Sequence, residues 1–187
     1  MKVLISGING FVGSYLKKEL EQRGHLVVGL DLKSEGNSII AVDITDRDQV
    51  MSSVAESAPD AIIHLAGIAQ VDFENPGLMY AINTIGTMNI LSSCVGKDIR
   101  FLFVSSSQVY GNVPKALLPI TEDAQIAPVN HYGSSKAAAE CVVRAFSNES
   151  GVPAVIVRPF NHTGRGQSVN FVVPKIAQAF KERAAVI

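Results

Sequence analysis

The chain has 187 residues, 47% of them hydrophobic and 18% charged, with a formal net charge of -1 at pH 7. That balance describes one ordinary globular domain with a sizeable core, and it leaves no basic footprint for nucleic acid or an anionic membrane surface. The two cysteines, Cys94 and Cys141, have no metal-ligand spacing and read as buried thiols of a reducing compartment, so neither a disulfide framework nor a metal site is expected.

The first element is the stretch Met1 to Gly13, MKVLISGINGFVG, in which an apolar run breaks abruptly into glycines. It reads as a buried strand followed by a phosphate loop. Gly7 permits the tight turn, Gly10 lets backbone approach a pyrophosphate, and Gly13 lets a new helix pack flat against the sheet. Asn9, Phe11 and Val12 lie between these glycines and complete a loop whose N–H groups would face the phosphates at a helix N-terminus. The spacing is GxxGxxG rather than GxGxxG. An amphipathic helix (Phe11, Val12, Tyr15, Leu16, Leu20) and a second apolar run ending in Asp31 complete a βαβ unit closed by an acid. A carboxylate there accepts hydrogen bonds from adenosine ribose hydroxyls and repels a 2′-phosphate, so NAD is favoured over NADP. Capping or turn formation is the plainer reading of the same aspartate.

Apolar runs at 2–6, 26–30, 39–42, 60–65, 100–105 and 153–157 alternate with helical periodicity near 46–57, 76–96, 132–150 and 170–183. Strand alternating with helix predicts an α/β fold, a doubly wound parallel sheet with helices on both faces and its ligand crevice beyond the C-terminal strand ends. Asp43 and Ile44 after the third run would set a carboxylate near the adenine amino group and an apolar side chain against its ring. Helix capping by Asp43, Thr45 or Asp46 is the equal alternative. The fourth run ends in His64, Leu65, Ala66 and Gly67, small residues against which a flat cofactor could lie, with His64 read as structural. Asn83, on a helix expected to be buried, needs backbone partners and reads as support beneath the cofactor site.

The fifth run ends in Ser105-Ser106-Ser107-Gln108-Val109-Tyr110-Gly111, which places hydroxyls at the C-terminal sheet edge. Tyr132 and Lys136 then stand at i and i+4 near the start of a helix and share one face. A lysine ammonium nearby would stabilise a phenolate and lower its pKa from about 10 toward the working range. Lys136 would also hold nicotinamide ribose hydroxyls, and a hydroxyl such as Ser106 would hold a carbonyl oxygen for hydride transfer.

Taken in order, GINGFVG, HLAG, SSSQVYG, YGSSK and RPFNHTGRGQ resemble the extended short-chain dehydrogenase/reductases that modify nucleotide sugars. The resemblance implies a Rossmann-like fold, a nicotinamide cofactor and a catalytic trio of Ser106, Tyr132 and Lys136, with Ser107 contacting cofactor or substrate. The segment from Arg158 to Gln167 resembles the corresponding loop of GDP-4-keto-6-deoxy-mannose reductases and GDP-mannose 4,6-dehydratases. That implies Pro159 beside the nicotinamide and Asn161 on the substrate phosphates. Arg165 stands where relatives carry proline and could itself meet phosphate; a plain polar surface loop is the alternative. The similar dehydratases carry a glutamate two residues after the catalytic hydroxyl, where this chain has Gln108. An amide cannot take the proton that elimination requires, so a reductase is preferred, with Gln108 on the substrate side.

An epimerase using the same trio, a dehydratase, and a non-catalytic NAD(P)-binding sensor remain as alternatives. Members of that family continue into a smaller substrate domain, whereas this chain ends in Ala184-Ala185-Val186-Ile187. The expectation is one NAD(P)-binding domain over 1–187, cut before that second domain. No apolar stretch reaches the roughly 18 residues of a membrane helix, and a strand starting at Lys2 leaves no room for a signal peptide, so a cytoplasmic protein is expected. The segments 76–96 and 132–150 could pair two subunits into a homodimer.

Overall fold

The computed structural model describes residues 1–182 apart from Glu35 and Asn37. Each of the six apolar runs becomes a strand: β1 Lys2–Ser6, β2 Leu26–Asp31, β3 Ile39–Ala41, β4 Ala61–His64, β5 Arg100–Val104 and β6 Ala154–Val157. They form one sheet in the order β3-β2-β1-β4-β5-β6, and every pairing is parallel. The order reverses between β1 and β4, so the crevice of this Rossmann-like sheet opens where the loops after those two strands diverge.

Helices cover both faces, unequally. On one side α2 (Arg47–Ser57), α4 (Thr87–Ser92) and α5 (His131–Ser150) bury Val50, Val54, Ile90, Leu91, Ala139 and Val143 against Leu4, Ile62, Phe101 and Phe103 of the sheet. On the other, α1 (Phe11–Gln22) lays Leu16 and Leu20 over Val3, Ile5 and Val27. Past α1 that second face is open: Val155 of β6 is 58% exposed, and α6 (Val172–Lys181) buries no residue.

The expected helix at 76–96 is broken into three pieces. After α3 (Pro76–Tyr80) comes a π-helical turn, Ala81–Gly86, which runs into α4. A π-turn carries one residue more per turn than an α-turn, and here it turns Asn83, Gly86 and Thr87 inward together. Gly86 keeps the approach to Ile44 close, since a Cβ would sit 2.6 Å from Ile44 Cδ1 and push that side chain aside. The helix expected at 170–183 is α6, and its last predicted residue, Arg183, lies outside the described residues, as do Ala184 to Ile187.

Helix ends follow local chemistry. Asp46 caps α2 by accepting the N–H groups of Asp48 and Gln49, and Asn130 caps α5 by accepting that of Gly133 at 2.7 Å. Gly151 then ends α5 in the left-handed conformation. No helix among the described residues is long and apolar enough to cross a membrane.

Candidate active site

The glycine loop between β1 and α1 is built by close backbone approach. Gly7 has φ 75°, donates its N–H to the Leu30 carbonyl at 2.7 Å, and has the Ala66 backbone where a side chain would start. A Cβ on Gly13 would lie 2.5 Å from the Ile8 carbonyl oxygen. Gly10 is the N-cap of α1 and offers no side-chain bond to the first turn, which also carries no acidic residue. Those first N–H groups therefore suit an anion.

Asp31 ends β2 beside this loop. Its Oδ2 accepts the Asn9 N–H and its Oδ1 that of Leu32, both at 2.9 Å. The carboxylate is thus fixed in orientation while each oxygen keeps a lone pair for a further donor. The Asn9 side chain reaches across to the Lys33 carbonyl. On the far side of the loop, Gly67 is exposed, and a Cβ there would meet Asn83 Oδ1 at 2.8 Å and Lys136 Nζ at 3.5 Å.

Beneath the loop lies a buried polar layer. His64 is fully enclosed; its Nδ1 pairs with Ser6 Oγ and its Nε2 with Thr87 Oγ1 at 2.9 Å. Thr87 spends its proton on the Asn83 carbonyl, so His64 Nε2 carries the ring proton and Nδ1 accepts from Ser6. Burial, aided by the Lys136 charge, pushes the His64 pKa down to about 3, which keeps the ring neutral. Asn83 Oδ1 accepts the Ile68 N–H, and its Nδ2 donates to the Ile68 carbonyl and Ser135 Oγ. His64 thus uses both ring nitrogens, and Asn83 both amide atoms, on partners within the protein.

Ser106, Tyr132 and Lys136 meet at the C-terminal edge of β5. Ser106 caps a 3-10 turn, Ser107–Tyr110, accepting the Gln108 N–H at 3.2 Å. Its hydroxyl faces the Tyr132 phenol. Lys136 is 5% exposed, donates to the Val104 carbonyl at 2.8 Å and lies 4.9 Å from the centre of the Phe103 ring. Burial lowers its pKa to about 8 against the pull of Glu140.

Five expectations need correction. Cys141, expected to be buried, is exposed, whereas Cys94 is buried as expected. Burial raises the Tyr132 pKa and only the Ser106 hydroxyl draws it down, with no lowering from Lys136, whose ammonium donates to the Val104 carbonyl instead. Ile44 packs at 7% exposure among the core residues beside Gly86, which leaves little of its side chain to meet an adenine ring. Asp43 does not cap α2; it holds the N–H and hydroxyl of Thr45 and stays exposed. Gln108, expected to face substrate, accepts from Asn130 Nδ2 at 3.2 Å and so braces the cap of α5.

The loop after β6 crosses to α1. His162 stacks on Phe11 with ring centres 6.3 Å apart, Tyr15 Oη donates to the Arg165 carbonyl at 2.8 Å, and Gly164 packs on the Phe11 ring. Asn161 and Arg165 are exposed, Val12 likewise, while the Pro159 carbonyl holds the Ser107 N–H at 3.0 Å. Leu65, only partly buried, packs against the α1-side cluster.

A buried ion pair at this edge escaped the sequence reading. Glu140, 1% exposed, takes a two-pronged ion pair from Arg158 at 2.8 and 2.7 Å, and Arg158 also donates to Tyr110 Oη. The available signal was a carboxylate one turn after Lys136 on a helix face that is otherwise buried.

A model of the family described as the NAD dependent epimerase/dehydratase family matches residues 3–187. The chain is 37% identical, over all of its length, to GDP-6-deoxy-D-talose 4-dehydrogenase of Aggregatibacter actinomycetemcomitans, and spans 62% of that protein. It is 33% identical over 95% of its length to GDP-6-deoxy-D-mannose reductase of Pseudomonas aeruginosa, spanning 57% of it. The solved structure of RMD from Pseudomonas aeruginosa complexed with NADPH superposes with a TM-score of 0.84 at 33% identity, covering 99% of this chain and 62% of that one.

Proposed function

The chain belongs to the NAD dependent epimerase/dehydratase family, and from that premise we propose that it is the dinucleotide-binding part of a nucleotide-sugar reductase. The substrate is a GDP-linked (or dTDP- or UDP-linked) 4-keto-6-deoxy-hexose, reduced at its 4-keto group. The observation that carries this reading is the convergence of Ser106, Tyr132 and Lys136 at one strand edge, at the same C-terminal end of the sheet as the open N-terminus of α1.

The residues present suit a dinucleotide. The uncapped first turn of α1, with Gly10, Phe11 and Val12, would take the pyrophosphate, and the oriented carboxylate of Asp31 would take the adenosine ribose. NAD is preferred, because Asp31 repels a 2′-phosphate. When bound, a reduced nicotinamide supplies the hydride. Tyr132 donates the proton to the carbonyl oxygen from its phenol, a task suited to a group whose burial keeps it protonated. Ser106 holds the same oxygen. Lys136, leaving Val104, would hold the nicotinamide ribose hydroxyls with a charge that favours the phenolate left behind. Asn161 and Arg165, exposed on the loop after β6, are available to substrate phosphates.

Gln108 supports reduction over dehydration, since an amide cannot remove a proton beside the ketone. The reading includes a cytoplasmic location and a homodimer paired through residues 76–96 and α5; a monomer in sedimentation at micromolar concentration contradicts the latter. The test is incubation of the longest expressible form with NADH or NADPH and a panel of 4-keto-6-deoxy nucleotide sugars, following absorbance loss and product identity. Loss of reduced cofactor with formation of the 4-hydroxy sugar is expected. Regeneration of cofactor without net consumption identifies an epimerase, and binding without turnover a sensor.

A further inference from the structure

We propose that the Glu140–Arg158 ion pair is a positioning pair for the catalytic edge: one helical turn below Lys136, it keeps that lysine's ammonium charged and locks the ends of β5 and β6 to α5. The claim uses the proposed function only for the importance of Lys136. Its test reads the lysine itself, so it stands or falls without any turnover being observed.

The geometry is unusual for a surface-type pair. The Glu140 and Arg158 side chains are 1% and 9% exposed, and the guanidinium meets both carboxylate oxygens in a fork. Burying such a pair gains little stability over well-packed apolar residues, because desolvation consumes the Coulomb gain. A stability role alone therefore accounts poorly for it. Its connections are more specific. Arg158 Nη1 donates to Tyr110 Oη at 2.8 Å and to the Glu122 carbonyl at 3.0 Å. Tyr110 ends the turn that Ser106 caps. The next residue after Arg158, Pro159, holds Ser107 through its carbonyl. One guanidinium thus joins the serine turn, the loop after β6 and the helix that carries Tyr132 and Lys136.

The second half of the claim is electrostatic. Lys136 faces the Phe103 ring and Val104 carbonyl of β5, the Asn83 amide of the π-turn beside Gly67, and His64 of β4, none of which carries charge. Tyr132, one turn earlier on its own helix, is neutral as well. Glu140 is then the counter-charge that acts on Lys136, and its Oε2 is met in turn by Arg158 and Arg144. Burial opposes the ammonium, and the Glu140 carboxylate opposes burial.

The experiment is an NMR pH titration of the chain labelled with ¹³Cε-lysine, the Lys136 signal being assigned by its loss in Lys136→Met. The wild-type midpoint is expected near 8. In Glu140→Gln the midpoint falls, by about one pH unit, and in Arg158→Met, where the carboxylate is left unopposed, it rises by a similar amount. Opposite movements separate charge control from general damage, which shifts both variants the same way. Each single change strands a buried charge, so Glu140→Gln/Arg158→Met is made as well; with the nearer charge removed, its midpoint falls. Midpoints that stay put, that move together in the single variants, or that rise in the double variant overturn the proposal.

Discussion

The two halves of the crevice are built by different means. Around β1, α1 and β2 the site is mostly backbone: Gly7, Gly10 and Gly13 bring main chain close, and a single fixed carboxylate, Asp31, closes it. Around β5, α5 and β6 it is buried side chains, with Lys136, Glu140, Arg158 and Tyr110 bonded to one another or to strand carbonyls. In the function proposed above, the first half binds the dinucleotide and the second sets the charge and position of the reacting groups. Changes in the two halves should therefore separate, one acting on affinity and the other on rate.

The largest expected effect is in the second half. Tyr132→Phe should lower keto-sugar reduction by about 10²- to 10⁴-fold while dinucleotide affinity stays near wild type. Kinetics paired with calorimetric titration check this, and a loss of affinity equal to the loss of rate would erase the division. Next comes Gly13→Ala, whose Cβ would lie 2.5 Å from the Ile8 carbonyl oxygen. It should cost about 1–3 kcal/mol of stability in a urea melt and weaken dinucleotide binding as well.

The buried floor between the halves makes a pH prediction. The His64 pKa is about 3 in the folded chain against 6.5 for the free group, so the unfolded chain binds the extra proton as pH falls through that window. Stability is therefore retained above about 6.5 and lost progressively toward pH 3. Urea melts across that range should show the loss in wild type and a shallower loss in His64→Asn. Lys136, also depressed, works at the other end: stability should rise between about 8 and 10.5 as the unfolded chain alone stays protonated. The smallest effect is expected at Asp31→Ser, which should shift the preference from NAD toward NADP by about tenfold, or about 1.4 kcal/mol, in binding titrations, with little change in melting.

This division also explains what could be read before the fold was known. All six strands and the glycine loop were legible, because an apolar run breaking into GxxGxxG is a local pattern whose physics needs no partner from elsewhere in the chain. Tyr132 and Lys136 were legible for the same reason, one helical turn apart. The Glu140–Arg158 pair was not, since it joins residues 18 apart in sequence and is specified only by how α5 packs beside β6. Ser6 and Thr87, which orient His64, were missed likewise: hydroxyls carry no periodicity, and their roles arise from pairings across the sheet. Ile44 misled because a strand-end apolar residue looks available to a ligand until the π-turn brings Gly86 against it.

The central claim is that one crevice anchors a dinucleotide at the opening glycine loop and presents its nicotinamide to Tyr132 and Lys136. A crystal structure of the chain with NAD tests it most directly. The account predicts pyrophosphate on the first turn of α1 and the nicotinamide ribose within hydrogen-bonding distance of Lys136 Nζ. A dinucleotide seated elsewhere, or a nicotinamide ring beyond reach of the Tyr132 phenol, would contradict it.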